Sequence, residues 1–149
     1  MSDVLGRSKS SRLQQALVKE KRLMSSVSSH IMGSIDPGLL VISGKLNKGV
    51  SFYEVENELD NVLSKIRSET VDSNELQKVK NLAESSLVFG EMELLNRAFN
   101  LAQFTLLGNT GMINGEIDKI RSVSQRDVLR TANEVLKKEN CSTLYYKSA

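Results

Sequence analysis

The sequence predicts a helix-rich α+β fold: an antiparallel sheet of about three strands with helices covering one face. Three observations predict it. Only one Pro and nine Gly interrupt 149 residues, so long regular elements are expected instead of a loop-rich scaffold. Capping-box pairs at Ser11/Gln14, Ser51/Glu54 and Asp72/Glu75 each precede apolar residues at helical spacing. Residues 25–31 and 39–46 form two strand-like runs around the turn signal Asp36-Pro37-Gly38, and 141–146 closes the chain as a third.

In chain order, residues 1–9 read as a polar, flexible N-terminus with Val4 and Leu5 as a short extended contact. Residues 10–147 read as one domain. A helix is expected from Ser11 to Met24, with Leu13, Ala16, Leu17 and Met24 on one face. The strand at 25–31 sets Val27 and Ile31 opposite Ser26, Ser28 and His30. Across the turn, LLVISGKL (39–46) pairs with it as a hairpin, buried on at least one face. Asn47-Lys48-Gly49 is the next turn, and a helix carrying Phe52, Val55, Leu59, Val62, Leu63 and Ile66 runs to about Arg67. Another runs from Asp72 to about Phe89, with a break or kink at Gly90. The segment 91–107 has the widest apolar stripe, with Leu95, Ala98, Phe99, Ala102 and Leu106 at its heart, and is expected to be a central helix. A loop at 108–111, a short helix with Ile113, Ile117 and Ile120, a last helix opened by Ser124 and Asp127, and the closing strand complete the order.

Composition narrows the function classes. Hydrophobic residues make up 40% of the chain, aromatics 5%, and Trp is absent, so the core is aliphatic. Twenty Lys and Arg against eighteen Asp and Glu give a net charge of +2, which makes no case for nucleic acid. A single Cys141 excludes an intramolecular disulfide and leaves the compartment open. No apolar run is long enough for a transmembrane helix, and MSDVLGRSKSS lacks the apolar stretch of a signal peptide.

No catalytic constellation stands out. A zinc site needs three or four ligands, and one His30 and one distant Cys141 do not supply them. The ordinary reading is a surface or structural His30 and a buried Cys141 thiol. Residues 108–115 lie between helices and lack a phosphate-loop Lys. Lys19-Glu20-Lys21-Arg22 reads as a solvated helix face. Glu54, Glu56, Glu58 and Asp60 point in different helical directions and make no acid/base pair, and Tyr145-Tyr146 is expected to split between core and surface.

One block nevertheless carries a resemblance. SSRLQQALVKEKRLMSSVSS, from Ser10 to Ser29, resembles the SSRL…E-K-x-L-A-x-S-V block of the pitrilysin/insulinase family of zinc metallopeptidases. Further pieces agree in order: Asp36-Pro37-Gly38-Leu39; Asp72, Glu75 and Leu76 with Lys78 and Lys80; Glu84 and Val88; Arg97-Ala98 with Leu101-Ala102; Leu107-Gly108; Val123-Ser124 with Asp127-Val128; Glu139-Asn140 with Leu144-Tyr145-Tyr146. The ordered set, from about Gly6 to Lys147, is more specific than any single piece.

The resemblance implies a mixed α+β domain of metallopeptidase type, of which this chain is the later part, at the C-terminus of the two-domain bacterial form. It implies a bacterial parent, periplasmic or cytoplasmic, with zinc in a separate catalytic domain. The family's H-x-x-E-H zinc motif is missing from this chain, which has a single His. In some members the block also carries an Arg and, seven residues on, a Tyr that hold the substrate backbone. Those positions are Val18 and Ser25 here. Val18 has no donor, and Ser25 cannot reach as a Tyr does. A partner subunit is then expected to supply the pair.

The function implied is that of a non-catalytic C-terminal region that helps to enclose peptide substrate and packs on the catalytic domain of the same polypeptide. Two other classes remain: an inactive structural or assembly protein of the same fold, and a small free-standing binding domain. If the domain is cut, an uncovered strand edge at 39–46 or 141–146 is expected to pair with a second copy.

Overall fold

The computed structural model describes residues 1–33 and 38–147. The expected turn at Asp36-Pro37 lies outside them. Two compact units result: Met1–Val71 with Arg126–Ala149, and Asp72–Gln125.

The first unit is built on a hairpin. Strand β1 (Met24–Met32) pairs antiparallel with β2 (Leu39–Leu46), as the alternating apolar residues predict, with Val27 opposite Gly44 and His30 opposite Val41. The register shifts between Met24 and Ser26, so Ser25 is an extra residue, a β-bulge. The bulge changes the parity of the strand: Met24 is buried, and the buried positions after it are Val27 and Ser29. Ile31 shares their side of the strand but is 62% exposed near the strand's end. β2 is at best half-buried along its length, because among the described residues the sheet has two strands and its outer edge has no neighbour.

Helix α1 and the segment Gln14–Glu20 pack on β1, and further helices complete the core. The chain opens with helix α1 (Ser2–Gly6), which packs on β1 and buries Val4 and Leu5 almost completely. That corrects the expected extended contact: both apolar side chains reach the core from one helical turn. Helix α2 (Phe52–Ser68) begins in the predicted box, with the Ser51 hydroxyl accepting from Glu54 N and the Glu54 carboxylate accepting from Ser51 N. It buries Val55, Val62 and Ile66, three of the positions that the helical spacing picks out. Helix α6 (Gln125–Val135) buries Val128 and Ala132, and Asn133 Nδ2 donates to Arg67 O at 2.8 Å, tying α6 to the end of α2.

The closing segment is extended at Cys141 but joins no ladder, so the sheet is one strand short of the expected three. Its hold is on a helix instead. The Tyr145 ring lies 4.8 Å from that of Phe52, and its hydroxyl donates to the Glu56 carboxylate. Tyr145 is 47% and Tyr146 85% exposed, so neither enters the core, against the expected split between core and surface.

The second unit contains helices α3 (Ser73–Met92), α4 (Leu94–Leu106) and α5 (Glu116–Ser122). Asp72 caps α3 by accepting from Asn74 N and Glu75 N. Gly90 does not break the helix. It lies within α3, and the chain turns instead at Glu93, whose backbone is extended. α4 ends at Gly108 with φ +89°, the left-handed conformation that glycine adopts without a steric penalty. A residue-by-residue link joins α3 to α5: Lys80 Nζ donates to Arg121 O at 2.8 Å, and the Arg121 guanidinium grips the Glu84 carboxylate. α4 is not central. It buries no residue, and Leu95 and Leu106 are 80% and 82% exposed. The stripe is apolar because of the sequence, but within its own unit no other helix covers it.

Candidate functional site

The block that carries the resemblance forms one continuous surface element. Gln14–Glu20 is wound as a π-helix, so the expected helix keeps its position but is wider and ends four residues early. Lys21 N bonds Ala16 O, and Leu23 N reaches back to Leu17 O at 2.9 Å. Arg22 makes the turn at φ +53°, a conformation that costs a non-glycine residue roughly 1–2 kcal/mol. The cost is offset locally, since Asn47 Nδ2 donates to Arg22 O at 2.6 Å and Asn47 N to Leu23 O at 3.0 Å. Leu13 and Leu17 lock the inner side of the element into the core. Gln14 does not complete the predicted box with Ser11. Its amide donates to Val27 O at 2.6 Å and pins the π-helix to β1.

Val18 and Ser25 fall on this element, one on the π-helix and the other at the bulge. Val18 is half-buried and offers no polar atom. Ser25 is exposed, and its hydroxyl donates to Lys45 O at 3.2 Å across the hairpin. The bulge therefore aims a short hydroxyl at the neighbouring strand. Beside it, Lys19, Glu20, Lys21 and Arg22 are all exposed, the solvated face that the charge pattern suggests.

The other candidates are spread across the chain. His30 is exposed on β1. Cys141 is exposed too, against the expectation of a buried thiol, because the segment that carries it lies outside the sheet. Among the described residues, no three His, Cys, Asp or Glu side chains converge to hold a metal ion. With one His in the chain, the H-x-x-E-H ligand pair cannot be assembled from these residues. The four carboxylates of α2 have separate partners: Glu54 with Ser51, Glu56 with Tyr145, Glu58 with Asn61, and Asp60 with Lys138. No helix among the described residues is long and apolar enough to cross a membrane.

Electrostatics add two details. The backbone amide of Ser51, and then its hydroxyl, hold the Glu54 carboxyl below its ordinary range. The hydrogen bond to Glu56, with some burial, holds the Tyr145 hydroxyl above its own.

Two features escaped sequence reasoning. The left-handed Arg22 has no glycine to announce it, and the Tyr145–Glu56 contact joins residues 89 positions apart. The only signals in the sequence are Asn47, a residue suited to bonding a turn, and an aromatic doublet near the end.

Comparison with known proteins agrees with this arrangement. The family description "Peptidase M16 inactive domain" matches residues 1–83. The zinc protease PqqE of Helicobacter pylori is 30% identical over 156 residues, covering 99% of this chain but 33% of its own length. The chain thus spans about a third of that relative. Among solved structures, a protease from Helicobacter pylori has a TM-score of 0.85 at 24% identity, over 93% of this chain and 34% of that one. The inactive peptidase domain of a protein named as a zinc protease, from Bordetella parapertussis, has a TM-score of 0.82 at 23% identity, over 93% and 75%. A similarly named protein from Bordetella pertussis Tohama I gives 0.80 at 24%, over 93% and 77%. These structural likenesses establish the fold, and the match over residues 1–83 establishes the family: the chain belongs to the inactive-domain family of the M16, or pitrilysin-type, zinc peptidases.

Proposed function

We propose that this chain acts as the non-catalytic C-terminal part of a zinc endopeptidase, helping to enclose a peptide substrate and packing on a separate catalytic domain. In this reading residues 10–147 are the later part of one pitrilysin-type domain, and zinc resides in the catalytic domain. The observation that carries it is the inactive-domain match across the block where Val18 and Ser25 stand. A side chain without a donor and a hydroxyl turned to Lys45 O leave this block poorly equipped to clamp a substrate backbone. A partner subunit would then supply the Arg and Tyr of the family block.

The test has two arms. The purified chain is assayed for zinc by elemental analysis and for cleavage of unstructured peptides. Substoichiometric zinc and no cleavage are expected; one equivalent of zinc would overturn the reading. The chain is then added to a separately expressed H-x-x-E-H domain from the same gene neighbourhood. Binding with a rise in cleavage supports the enclosing role. Binding with no effect on cleavage would favour an assembly protein of the same fold.

A further inference from the structure

Two turns that are far apart in the sequence meet at one end of the hairpin and bring their cations together. Asn47 Nδ2 donates to Arg22 O at 2.6 Å, and Asn47 N donates to Leu23 O at 3.0 Å. Lys21, Arg22, Lys45 and Lys48 all stand within two residues of that contact, or about 7 Å of extended backbone. That is inside the screening length of about 8 Å at physiological salt, so their fields add. Lys19, in the last turn of the π-helix, is a fifth cation. All five side chains are exposed.

Little nearby offsets this charge. Among the described residues none of the five makes an ion pair. Glu20 is the one carboxylate from Lys19 to Tyr53 apart from Asp36, which lies outside the described residues. The four carboxylates that follow on α2 bond to Ser51, Tyr145, Asn61 and Lys138 instead. The patch therefore carries +4 where the whole chain carries +2, and everything else sums to −2. A basic run on a helix face is ordinary. What sets this one apart is the arrival of Lys45 and Lys48 from the other strand.

The surroundings of the cations specify the anion. Ser25 and Ser26 are exposed among them, and Ser26 has no side-chain bond among the described residues, so its hydroxyl is free to donate to a carboxylate. A membrane surface would call for apolar side chains that insert beside the cations. The apolar neighbours here, Leu23 and Met24, are half-buried and buried. The isoelectric point of 8.7 falls short of the range above about 9 that marks nucleic-acid-binding domains.

We propose that this end of the hairpin binds an acidic peptide segment, its Asp and Glu carboxylates held by Arg22, Lys45 and Lys48 and by the Ser26 hydroxyl. That such a peptide is substrate rests on the enclosing role proposed above. That it binds here does not, so a failure of binding leaves the zinc and cleavage assays untouched.

The test is fluorescence anisotropy of the 149-residue chain with a labelled peptide of alternating Glu and Ser, against the same peptide with Gln for Glu. In about 0.05 M salt the acidic peptide should bind at least roughly 10-fold more tightly, and raising the salt to about 0.3 M should remove most of that difference. Arg22→Gly combined with Lys45→Gln and Lys48→Gln should bring its affinity down to that of the neutral peptide. The far-ultraviolet dichroism should be unchanged, since glycine accepts φ +53° and the two lysines are exposed. Lys65→Gln, which removes an exposed cation from α2, should change the affinity less than about 2-fold. Each of four results would overturn the proposal: equal affinity for the two peptides at low salt, a triple variant that binds as the parent does, an equal loss with Lys65→Gln, or tighter binding to phosphatidylserine vesicles or duplex DNA than to the acidic peptide.

Discussion

Gly6 and Ser29 meet where α1 lies on β1. A β-carbon at Gly6 would overlap the Ser29 backbone amide and stand 2.6 Å from Ser29 Cβ. Backbone cannot step aside as a flexible side chain can, so Gly6→Ala is expected to cost about 1–3 kcal/mol, read as a lower urea midpoint at constant slope. Ser29 is the opposite case. Its hydroxyl is buried and finds no partner among the described residues. Removing an unsatisfied buried hydroxyl while keeping Cβ relieves a desolvation cost, so Ser29→Ala should raise stability by about 1 kcal/mol. A loss of that size would mean that the hydroxyl has a partner in the folded chain. Gly6 gave no sign of its role in the sequence, because the residue it must clear lies 23 positions away in another element. Ser29 is legible by contrast, because alternation places it on the side of Val27, and that side is buried.

At the scale of elements, the capping boxes divide by what competes for them. Ser51 and Glu54 face solvent and each other, so the box forms as written. Gln14 has a nearby strand carbonyl, and tertiary bonding to Val27 O takes it. The Glu54 carboxyl titrates lower in the folded chain than in the unfolded one. Its contribution to stability is therefore present above its ordinary value of 4.5 and is lost as the pH falls through the folded pKa below that. Glu54→Gln should flatten the acid side of the melting-temperature profile below about pH 4.5 relative to the parent, with little change at neutral pH. An unchanged acid limb would show that the box does not couple to folding. Helices α2, α3 and α6 were legible because their caps and apolar spacings are local properties. The position of the break between α3 and α4 was not: Gly90 has the lower helix propensity, but the backbone turns at Glu93.

For the whole molecule, the end of the chain is held to the first unit through Tyr145. The Glu56 carboxylate favours the protonated phenol, which raises its pKa above the ordinary 10.0. The sign follows: this contact stabilises fully below pH 10.0 and is lost as the pH rises through the folded pKa. An absorbance titration should show a tyrosine phase above pH 10.0, and Tyr145→Phe should abolish it while keeping the ring on Phe52. A late phase that survives Tyr145→Phe, or no late phase at all, would show the segment undocked in solution. The same segment marks the limit of the three-strand expectation. Strand pairing is a property of two segments together, and 141–147 meets a helix where a third strand was expected.

The sequence by itself determined the helix-rich α+β class, the hairpin between β1 and β2, most of the helix starts, and the family, through the ordered block from Ser10 to Ser29. Each of these depends on neighbours within a few turns of chain or on the order of residues. Tertiary structure alone decided that Arg22 takes a left-handed turn, that Ser25 bulges towards Lys45, that Val4 and Leu5 enter the core as a helix, and that the richest apolar stripe, on α4, is left uncovered within its own unit. Periodicity shows that a face is apolar, but its burial depends on whether another surface arrives to cover it.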